Sequence, residues 1–561
     1  SSGVIDTVVD ASGILVSSMF AQPKEIGVYD ARGQLATGLV EGSEIPVVRK
    51  FDSKGNIVKE VDENGCHHQY YYNDLNQLIA SIDNSNIQQD KMLKWYQYDP
   101  AGNLISQRIY GTVPSENLAE IQQMVSNNQE EYREITYEYD ANNRQISSST
   151  QEVALFSFEN GYHTAKITTS TEYDTRGNII KAVDGNGNAT YNFYDEVDNL
   201  LLNVDATGAM VGYGNYDVFG NAGEIVKYGN YLSASALNGL SINSDIDALI
   251  ADVGGRDAEA NRITTFTYDA MNRKTEERVL DVDFSIIGDT GLKTDYNGAE
   301  LVTDITYDEN GNVTVLSKYA EVNGVVVGEA QITKSTYDAL NRLVLQETPE
   351  YTDYQGETVR EKVKMVYDFN DNITLEQHLR KDGSVGKQKT STYNDNNRLL
   401  RTTGYDGDVS YNYDSNGQIS SVTDMQTGHT TSLYYDNYGN ESKRSINSEY
   451  SQETVYNAYG EIVAKGVNAG NQQYFEYNSA GQMIKSNEDG SPRMYLYDAN
   501  GNATLEIYSF NVDIKDMTLE QILQMAQEIP GDQFKVSINK YNARNELVEV
   551  VNVRLEEILS A

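Results

Sequence analysis

The chain has 561 residues and a formal net charge of −41, from 43 basic and 84 acidic residues. This balance argues against nucleic acid and against an anionic membrane surface as partners, because both are bound through an excess of Lys and Arg. The single cysteine, Cys66, excludes an internal disulfide, and no apolar run of about 18 residues is present to span a bilayer. We interpret the charge as a means of keeping a large sheet soluble; calcium binding by acidic turns and attraction of a basic partner are the alternatives.

The predicted organisation is an array of repeats with two helical insertions. The first residues, SSGVI, contain no Met and no basic region, so we expect a processed or excised start rather than a signal peptide. We divide the chain into a lead-in at 1–28, repeats at 29–230, a helical insertion at 231–262, repeats at 263–510, a second helical insertion at 511–534, and the last repeat with a tail at 535–561.

The repeat is marked by an aromatic residue that is followed by Asp or Asn and, three residues after that, by Gly, Asn or Asp. The pattern occurs nineteen times, and the tightest spacings cluster at 20 to 22 residues. A fixed period of this kind indicates one supersecondary unit stacked many times. The aromatic residues are Tyr29, Phe51, Tyr72, Tyr98, Tyr139, Tyr173, Tyr194, Tyr216, Tyr268, Tyr307, Tyr337, Tyr367, Tyr393, Tyr413, Tyr435, Tyr456, Tyr477, Tyr497 and Tyr541.

Each repeat predicts a tight turn between two strands, as residues 98–104 illustrate. Tyr98 ends a strand, and the side chain of Asp99 can accept a hydrogen bond from a backbone N–H two residues on. Pro100 presets φ for the interior of a turn, and Gly102 supplies the positive φ that closes it. Leu104 then begins the returning strand.

The residues found at the fourth position after the aromatic support a backbone role. That position is Gly in eleven units, Asn in six and Asp in two, and these residues tolerate the left-handed region most readily. The position directly after the aromatic is Asp in fourteen units and Asn in five. We therefore expect the side-chain oxygen there to matter and its charge not to, and we expect neither position to be catalytic.

A second, weaker turn about midway through many units completes the predicted fold. Residues 62–65, 184–187, 205–208 and 488–490 are examples. Two turns per unit leave two strands of about six to eight residues, and hence one β-hairpin per unit. Nineteen hairpins cannot stay flat and open, so we predict an all-β fold in which a continuous antiparallel sheet twists into a spiral that forms a hollow shell or barrel.

The units YDENGNV (307–313), YDALNRL (337–343) and YDANGNA (497–503) resemble the YD repeats of the Rhs family, and the resemblance covers roughly residues 29 to 547. The family includes bacterial Rhs toxins, the B and C components of insecticidal toxin complexes, and the teneurin adhesion receptors. The resemblance implies strands that spiral into a hollow cocoon around a C-terminal toxin, or a rigid extracellular barrel as in teneurins.

The sequence departs from the toxins in two respects, since we expect neither their core region nor a toxin domain here. Their self-cleaving core region, with a motif similar to DPxGLxxGxNxY, is absent, so autoproteolysis is not carried over to any residue here. We expect a wall without its cargo: a fragment, a processed product, or one part of a larger shell.

The three longest spacings that carry a helical pattern predict helices. In the first, Ser115 is placed to cap a helix; in the second, apolar residues recur over 232–254. In the third, Thr518 and Gln521 form a capping box, and Met517 is placed as a hydrophobic staple. We expect these helices to cover a sheet edge or the mouth of the shell, and a partner-binding lid is the alternative.

Cys66, His67 and His68 form the only Cys/His cluster in the sequence. Consecutive residues of a strand face opposite sides, so the two histidines cannot easily bind one ion, and zinc would need further ligands. The other histidines are isolated: His163, His378 and His429.

Calcium is the second metal that we consider, because Asp184, Asn186 and Asn188 alternate as the ligands of calcium loops do. The EF-hand pattern then requires Gly and Glu at the positions that Ala189 and Asp195 occupy. No GxSxG, HExxH or P-loop motif appears either. We therefore predict no catalytic, cofactor-binding or metal-binding residue, and no enzyme.

The sequence predicts a non-enzymatic shell that encapsulates or presents a toxin-type polypeptide cargo in a secreted or cell-surface bacterial protein. The expected partners are a polypeptide cargo or another YD-repeat or toxin subunit, and a glycan or other cell-surface partner is a further option. An extracellular adhesion or structural spacer module is the alternative function, and a glycan-active enzyme is a third.

Overall fold

The computed structural model describes residues 27–29, 32–39, 46–62, 65–84, 91–113, 115–128, 130–158, 160–287, 291–352, 356–436, 438–467, 472–488, 490–528 and 533–554. The predicted lead-in at 1–28 lies outside the described residues except for its last two, and so does the end of the predicted tail from 555 onward.

The chain is built mainly from short strands. They are β1 (Gly27–Tyr29), β2 (Leu35–Leu39), β3 (Pro46–Phe51), β4 (Ile57–Val61), β5 (His67–Tyr72), β6 (Leu78–Asn84), β7 (Lys91–Tyr98), β8 (Leu104–Tyr110), β9 (Tyr132–Tyr139), β10 (Gln145–Ser157), β11 (Gly161–Tyr173), β12 (Ile179–Val183), β13 (Ala189–Tyr194), β14 (Leu200–Val204), β15 (Met210–Gly214), β16 (Glu224–Lys227), β17 (Arg262–Tyr268), β18 (Lys274–Ile287), β19 (Lys293–Tyr307) and β20 (Val313–Val322). The second half has β21 (Val325–Tyr337), β22 (Leu343–Glu347), β23 (Tyr351–Thr352), β24 (Thr358–Val359), β25 (Lys362–Tyr367), β26 (Ile373–Leu379), β27 (Val385–Tyr393), β28 (Leu399–Gly404), β29 (Gly407–Tyr413), β30 (Ile419–Asp424), β31 (Thr430–Tyr435), β32 (Glu441–Ile446), β33 (Tyr450–Tyr456), β34 (Ile462–Val467), β35 (Gln472–Tyr477), β36 (Met483–Ser486), β37 (Arg493–Tyr497), β38 (Ala503–Ser509), β39 (Phe534–Tyr541) and β40 (Leu547–Val553).

All strands except β23 and β24 belong to one 38-stranded sheet, in which each strand pairs antiparallel with the next strand along the chain. Strands hold 56% of the residues and helices 6%, which confirms the predicted all-β class. The separate pair β23–β24 lies between β22 and β25, which are neighbours in the large sheet.

The predicted turn geometry is confirmed. The residue at the fourth position after the aromatic has a positive φ in all nineteen units, between 59° and 107°. In the example above, the N–H of Gly102 donates to the carbonyl of Asp99 at 3.1 Å, and Asp99 Oδ1 accepts the N–H of Asn103 at 2.9 Å. Where Asn replaces Asp, Asn394 Oδ1 accepts the N–H of Arg398 at the same 2.9 Å, so a neutral oxygen closes the turn equally well.

A β-bulge follows the turn and was not predicted from the sequence. Tyr98 pairs with Leu104, whereas the preceding Gln97 pairs with Ser106, so the returning strand carries one extra residue. The same shift occurs at the motif tyrosine of most units, for example at Tyr413. Because a bulge bends its strand and increases the local twist, its repetition gives the sheet a cumulative curvature.

Four helices occur among the residues that the structure describes: α1 (Leu118–Asn127), α2 (Ala234–Asn238), α3 (Ile246–Asp252) and α4 (Leu519–Glu528). The predicted cap of α1 is wrong: Asn117 is the N-cap and accepts the N–H of Ala119, while Ser115 Oγ accepts the N–H of Asn117 one step earlier. The capping box before α4 is confirmed, because the N–H of Thr518 donates to Gln521 Oε1 at 2.8 Å and the N–H of Gln521 donates to Thr518 Oγ1 at 3.3 Å.

The helices pack against the face of the sheet, and all of them use the same face. α1 covers a cluster around Trp95, α2 and α3 cover one around Phe193, and α4 covers one around Leu496. Trp95 stands three positions before the motif tyrosine of its strand, and Phe193 and Leu496 each stand one position before theirs. Because side chains alternate along a strand, the helices cover one face of the sheet and the motif tyrosine rings lie on the other face.

The sheet returns to itself. β10 and β37 pair through Leu155 and Tyr497, which closes the strands from β10 to β37 into a ring of 26. The remaining strands continue beyond the closure, so the wall is a spiral that overlaps itself. A closed sheet of this size encloses more space than its inward-facing side chains fill, and the predicted shell is thereby confirmed.

Candidate functional site

The spiral wall has two edges of different composition. We call the edge formed by the nineteen turns with the motif aromatic residues the turn edge. We call the opposite edge, formed by the second turns about halfway through the units, the mid-unit edge. The two strands of each hairpin run from one edge to the other and back.

The motif tyrosines tie each unit to the unit before it. The hydroxyl of Tyr98 donates to the carbonyl of Leu78 at 2.9 Å, and that of Tyr139 donates to the carbonyl of Leu104 at 2.9 Å. All seventeen motif tyrosines from Tyr72 to Tyr541 make this bond, always to the second residue after the left-handed position of the preceding unit.

Sequence reasoning missed this ladder of hydroxyl bonds. The signal was present in the use of Tyr at eighteen of the nineteen motif positions, since packing alone would accept Phe as readily.

The residue after the left-handed position links neighbouring turns. Asn103 Nδ2 donates to Asp99 Oδ2 and to Asn143 Oδ1 of the next unit, both at 2.9 Å. This side-chain bond from Asn103 is the largest cause that lowers the pKa of Asp99 below its ordinary value. Where the linking residue is arginine, as at Arg342, it donates to the carbonyl of Asp368 at 3.0 Å and stacks 4.9 Å above the next motif tyrosine ring.

The two edges meet where the wall overlaps itself, and we call this contact the seam. Arg133 donates two hydrogen bonds to Glu461, at 2.7 and 2.8 Å, and its guanidinium lies 3.9 Å above the ring of Tyr459. Arg544 donates to Asp205 at 2.7 Å. The paired residues are 328 and 339 positions apart in the chain, so about one circuit separates them.

At the centre of the seam, one second turn stacks on one motif turn. Asn186 Nδ2 donates to Asp498 Oδ2 at 2.9 Å, and its N–H donates to Asn500 Oδ1 at 3.1 Å. In return, the N–H of Ala499 donates to Asn186 Oδ1 at 2.9 Å, and Asn500 Nδ2 donates to Asp184 Oδ2 at 2.7 Å. Four reciprocal bonds therefore join the circuits at this point.

The calcium candidates lie in this same turn. Asp184 Oδ1 accepts the N–H groups of Asn186 and Asn188, at 3.0 and 2.9 Å, and Oδ2 accepts the side chain of Asn188 at 3.1 Å. Ala189 begins β13, and Asp195 closes its own motif turn through the N–H of residue 199. These oxygens hold the turn and the seam.

The residue three positions after the motif aromatic makes the seam contacts at Tyr459, Asn500 and Arg544. On the part of the turn edge outside the seam, several units carry an exposed apolar residue at this position or just before it. They are Leu75 (75% exposed), Val197 (73%), Val218 (94%), Phe219 (63%), Met271 (64%), Leu340 (68%) and Phe369 (97%). Exposed apolar side chains mark an interaction site where they form a contiguous patch.

The Cys/His cluster lies on the mid-unit edge. His67 is exposed and His68 is half-buried on the other face, as the strand period predicted. His68 Nδ1 bonds Asp83 Oδ1 at 2.6 Å and Nε2 bonds Asp62 Oδ2 at 3.1 Å. The hydrogen bond to Asp83 is the largest cause that raises the pKa of His68 to about 9, and burial raises the pKa of Cys66 to about 12. The other histidines lie elsewhere: His163 in β11, His378 in β26 and His429 before β31.

Residues 305–508 match the family model described as Teneurin YD-shell. The resemblance to YD-repeat proteins that the nineteen turns indicated is thereby confirmed. Within the described part of the chain, no helix is long and apolar enough to cross a membrane.

Among curated proteins, the chain is similar to the tRNA3(Ser)-specific nuclease WapA of Bacillus spizizenii, with 23% identity over 292 residues. That alignment covers 50% of this chain and 12% of the nuclease. Among solved structures, the crystal structure of TcdB2-TccC3-Cdc42 is 12% identical, with coverage of 94% of this chain and 29% of that chain and a TM-score of 0.31. The Photorhabdus luminescens Tc holotoxin pore is 10% identical, with coverage of 93% and 34% and a TM-score of 0.27.

Proposed function

We propose that the chain is a wall segment of a secreted or cell-surface bacterial protein, and that it encloses or presents a toxin-type polypeptide cargo without performing chemistry itself. Closure of the sheet is the observation that carries this proposal. A ring of 26 strands, sealed along a hydrogen-bonded seam, separates an interior from the surroundings. A spacer does not need an interior, because an open array of hairpins also spans distance.

The chemistry of the wall suits a cargo that is held unfolded. The three large apolar clusters of the described residues lie under the helices, where another polypeptide does not reach them. The excess of 84 acidic over 43 basic residues keeps the wall polar and hydrated. Release of cargo is therefore expected to respond to charge changes on the inner wall; a release that ignores them would contradict this part of the proposal.

Proteolysis of the natural full-length polypeptide tests enclosure. The seam variant R133A/E461A removes a two-bond ion pair between circuits. The matched control R401A/D408A removes an equal pair, at 2.8 and 2.7 Å, between the adjacent strands β28 and β29. Segments outside the repeat array should resist protease in the wild type and the control, and should be cleaved faster in the seam variant. Equal cleavage in all three proteins would contradict enclosure.

We further propose that the uncovered turn edge docks on the mid-unit edge of another YD-repeat wall. The seam supplies the precedent, because the same turn position makes the contact there. The surface defined by Phe219, Met271 and Leu340 continues the edge that the seam covers. A cryo-EM map of the natural protein should show a further hairpin wall on this surface, and the triple substitution of these residues by Asp should detach it. A bare edge, or an unrelated fold on it, would contradict the proposal; V548D, at an exposed position in β40, is the control.

A further inference from the structure

Asp62, Cys66 and His68 converge at one point on the mid-unit edge. Asp62 opens the second turn of its unit: its N–H donates to the carbonyl of Cys66 at 3.0 Å, and its Oδ1 accepts the N–H of Cys66 at 2.8 Å. Two residues beyond Cys66, His68 points to the same face because side chains alternate. One carboxylate oxygen, the Cys66 Sγ and one ring nitrogen lie within 4.8 Å of one another.

Comparison with another second turn of the chain shows what is special here. In the turn at 184–188, the residue that corresponds to Cys66 is Asn188, whose side-chain amide donates to Asp184 Oδ2 at 3.1 Å. That amide completes the turn. In the turn at 62–66, a thiol stands in place of the amide and an imidazole reaches the same carboxylate instead. The exchange replaces a hydrogen-bond donor by two groups that bind metals.

The surroundings of His68 favour metal binding. Asp83, on the neighbouring strand β6, bonds Nδ1 at 2.6 Å and leaves Nε2 directed at Asp62. A carboxylate on the outer ring nitrogen is the arrangement that orients metal-binding histidines. A cavity of about 300 Å³ is lined in part by His68 and Glu60, so it reaches the imidazole of this cluster.

We propose that Asp62, Cys66 and His68 bind one Zn²⁺ ion, with Asp83 orienting His68 and a water molecule as the fourth ligand. A mixed set of sulfur, nitrogen and oxygen suits zinc. Bonds of about 2.0–2.3 Å place the ligand atoms of a tetrahedral site roughly 3.3–3.8 Å apart. The 3.1 Å between His68 Nε2 and Asp62 Oδ2 is already close to this range. The Cys66 Sγ lies within 4.8 Å of the other two ligand atoms, and rotation of the side chains brings it into the range. Binding releases the protons of the thiol and of Nε2 to solvent.

Titration of the 561-residue chain with Zn²⁺ and with Co²⁺ tests the site. We expect one ion per chain and a thiolate-to-cobalt charge-transfer band, which reports this site alone because the chain has a single cysteine. C66S and H68Q should weaken Zn²⁺ binding at least 100-fold, and D83N about 10- to 100-fold. H67Q is the matched control, since His67 is exposed on the opposite face, and should bind as the wild type does.

Wild-type affinity for Zn²⁺ in both C66S and H68Q would overturn the proposal. If either variant fails to fold, the wild-type cobalt spectrum still decides, because the absence of the charge-transfer band excludes Cys66 as a ligand.

Discussion

Gly185 is a glycine of the seam at which there is no room for a methyl group. A Cβ at this position would lie 2.2 Å from the carbonyl oxygen of Ala499, whereas ordinary contacts begin at 3.4 Å. The obstacle is backbone and cannot rotate away, so in G185A the circuits must separate locally by about 1 Å. The turn itself accepts alanine, because Ala206 occupies the corresponding position of the turn at 205–208.

The cost follows from the four reciprocal bonds at this point, which measure 2.7–3.1 Å. A separation of about 1 Å breaks all four, and each is worth about 0.5–1.5 kcal/mol net. The seam should therefore lose about 2–6 kcal/mol locally. At 1.4 kcal/mol per factor of ten, the smaller value already corresponds to roughly 30-fold faster local opening.

Hydrogen exchange measured by mass spectrometry reads this opening directly. In G185A, peptides that cover 184–188 and 497–502 should exchange at least 30-fold faster, while distant hairpins keep their rates. G214A is the control, because a Cβ at Gly214 meets no atom within 4 Å. Wild-type exchange of both peptides in G185A would show that these segments do not touch, and would refute the seam.

Three further predictions concern the turns. Y413F removes the 2.8 Å bond to the carbonyl of residue 399 and should destabilise its hairpin by about 0.5–1.5 kcal/mol in local hydrogen exchange. The control Y411F, two residues earlier, removes a hydroxyl without a hydrogen-bond partner among the described residues and should leave the exchange unchanged. Equal effects of the two variants would contradict the ladder. Asn341 has φ of 64°, so N341V should cost about 1–2 kcal/mol more than N341G in thermal unfolding, and equal costs would contradict the left-handed geometry. The side-chain bond from Arg342 lowers the pKa of Asp338 below 3.8, so the stabilisation from its ionised form is present above about pH 4 and is lost as pH falls through the lowered pKa; D338N should remove this acid step from its hairpin, and an unchanged acid profile would contradict the assignment.

The turns could be predicted from the sequence because their chemistry is local. Gly102 and Asn143 can be recognised as left-handed turn residues from their position after the motif tyrosine and from the conformations that Gly and Asn tolerate. The same pattern recurs in every unit. The capping box at Thr518 and the opposite orientation of His67 and His68 were predictable for the same reason, since both depend on residues within one turn or one strand period.

The contacts between distant parts of the chain could not be predicted in this way. Arg133 and Glu461 are 328 residues apart, and neither carries a signal that distinguishes it from other charged residues. The partners of the Cys/His cluster were missed because Asp83 approaches from the neighbouring strand. The cap of α1 was misplaced because Ser115 and Asn117 are both good caps, and helical φ and ψ begin only after the second.

A cryo-EM map of the chain in solution tests the closure of the wall most directly. The structure predicts a closed wall in which the turn at 184–188 lies against the turn at 497–502, one circuit of 26 strands away. An open or extended array, with these two turns far apart, would contradict the account.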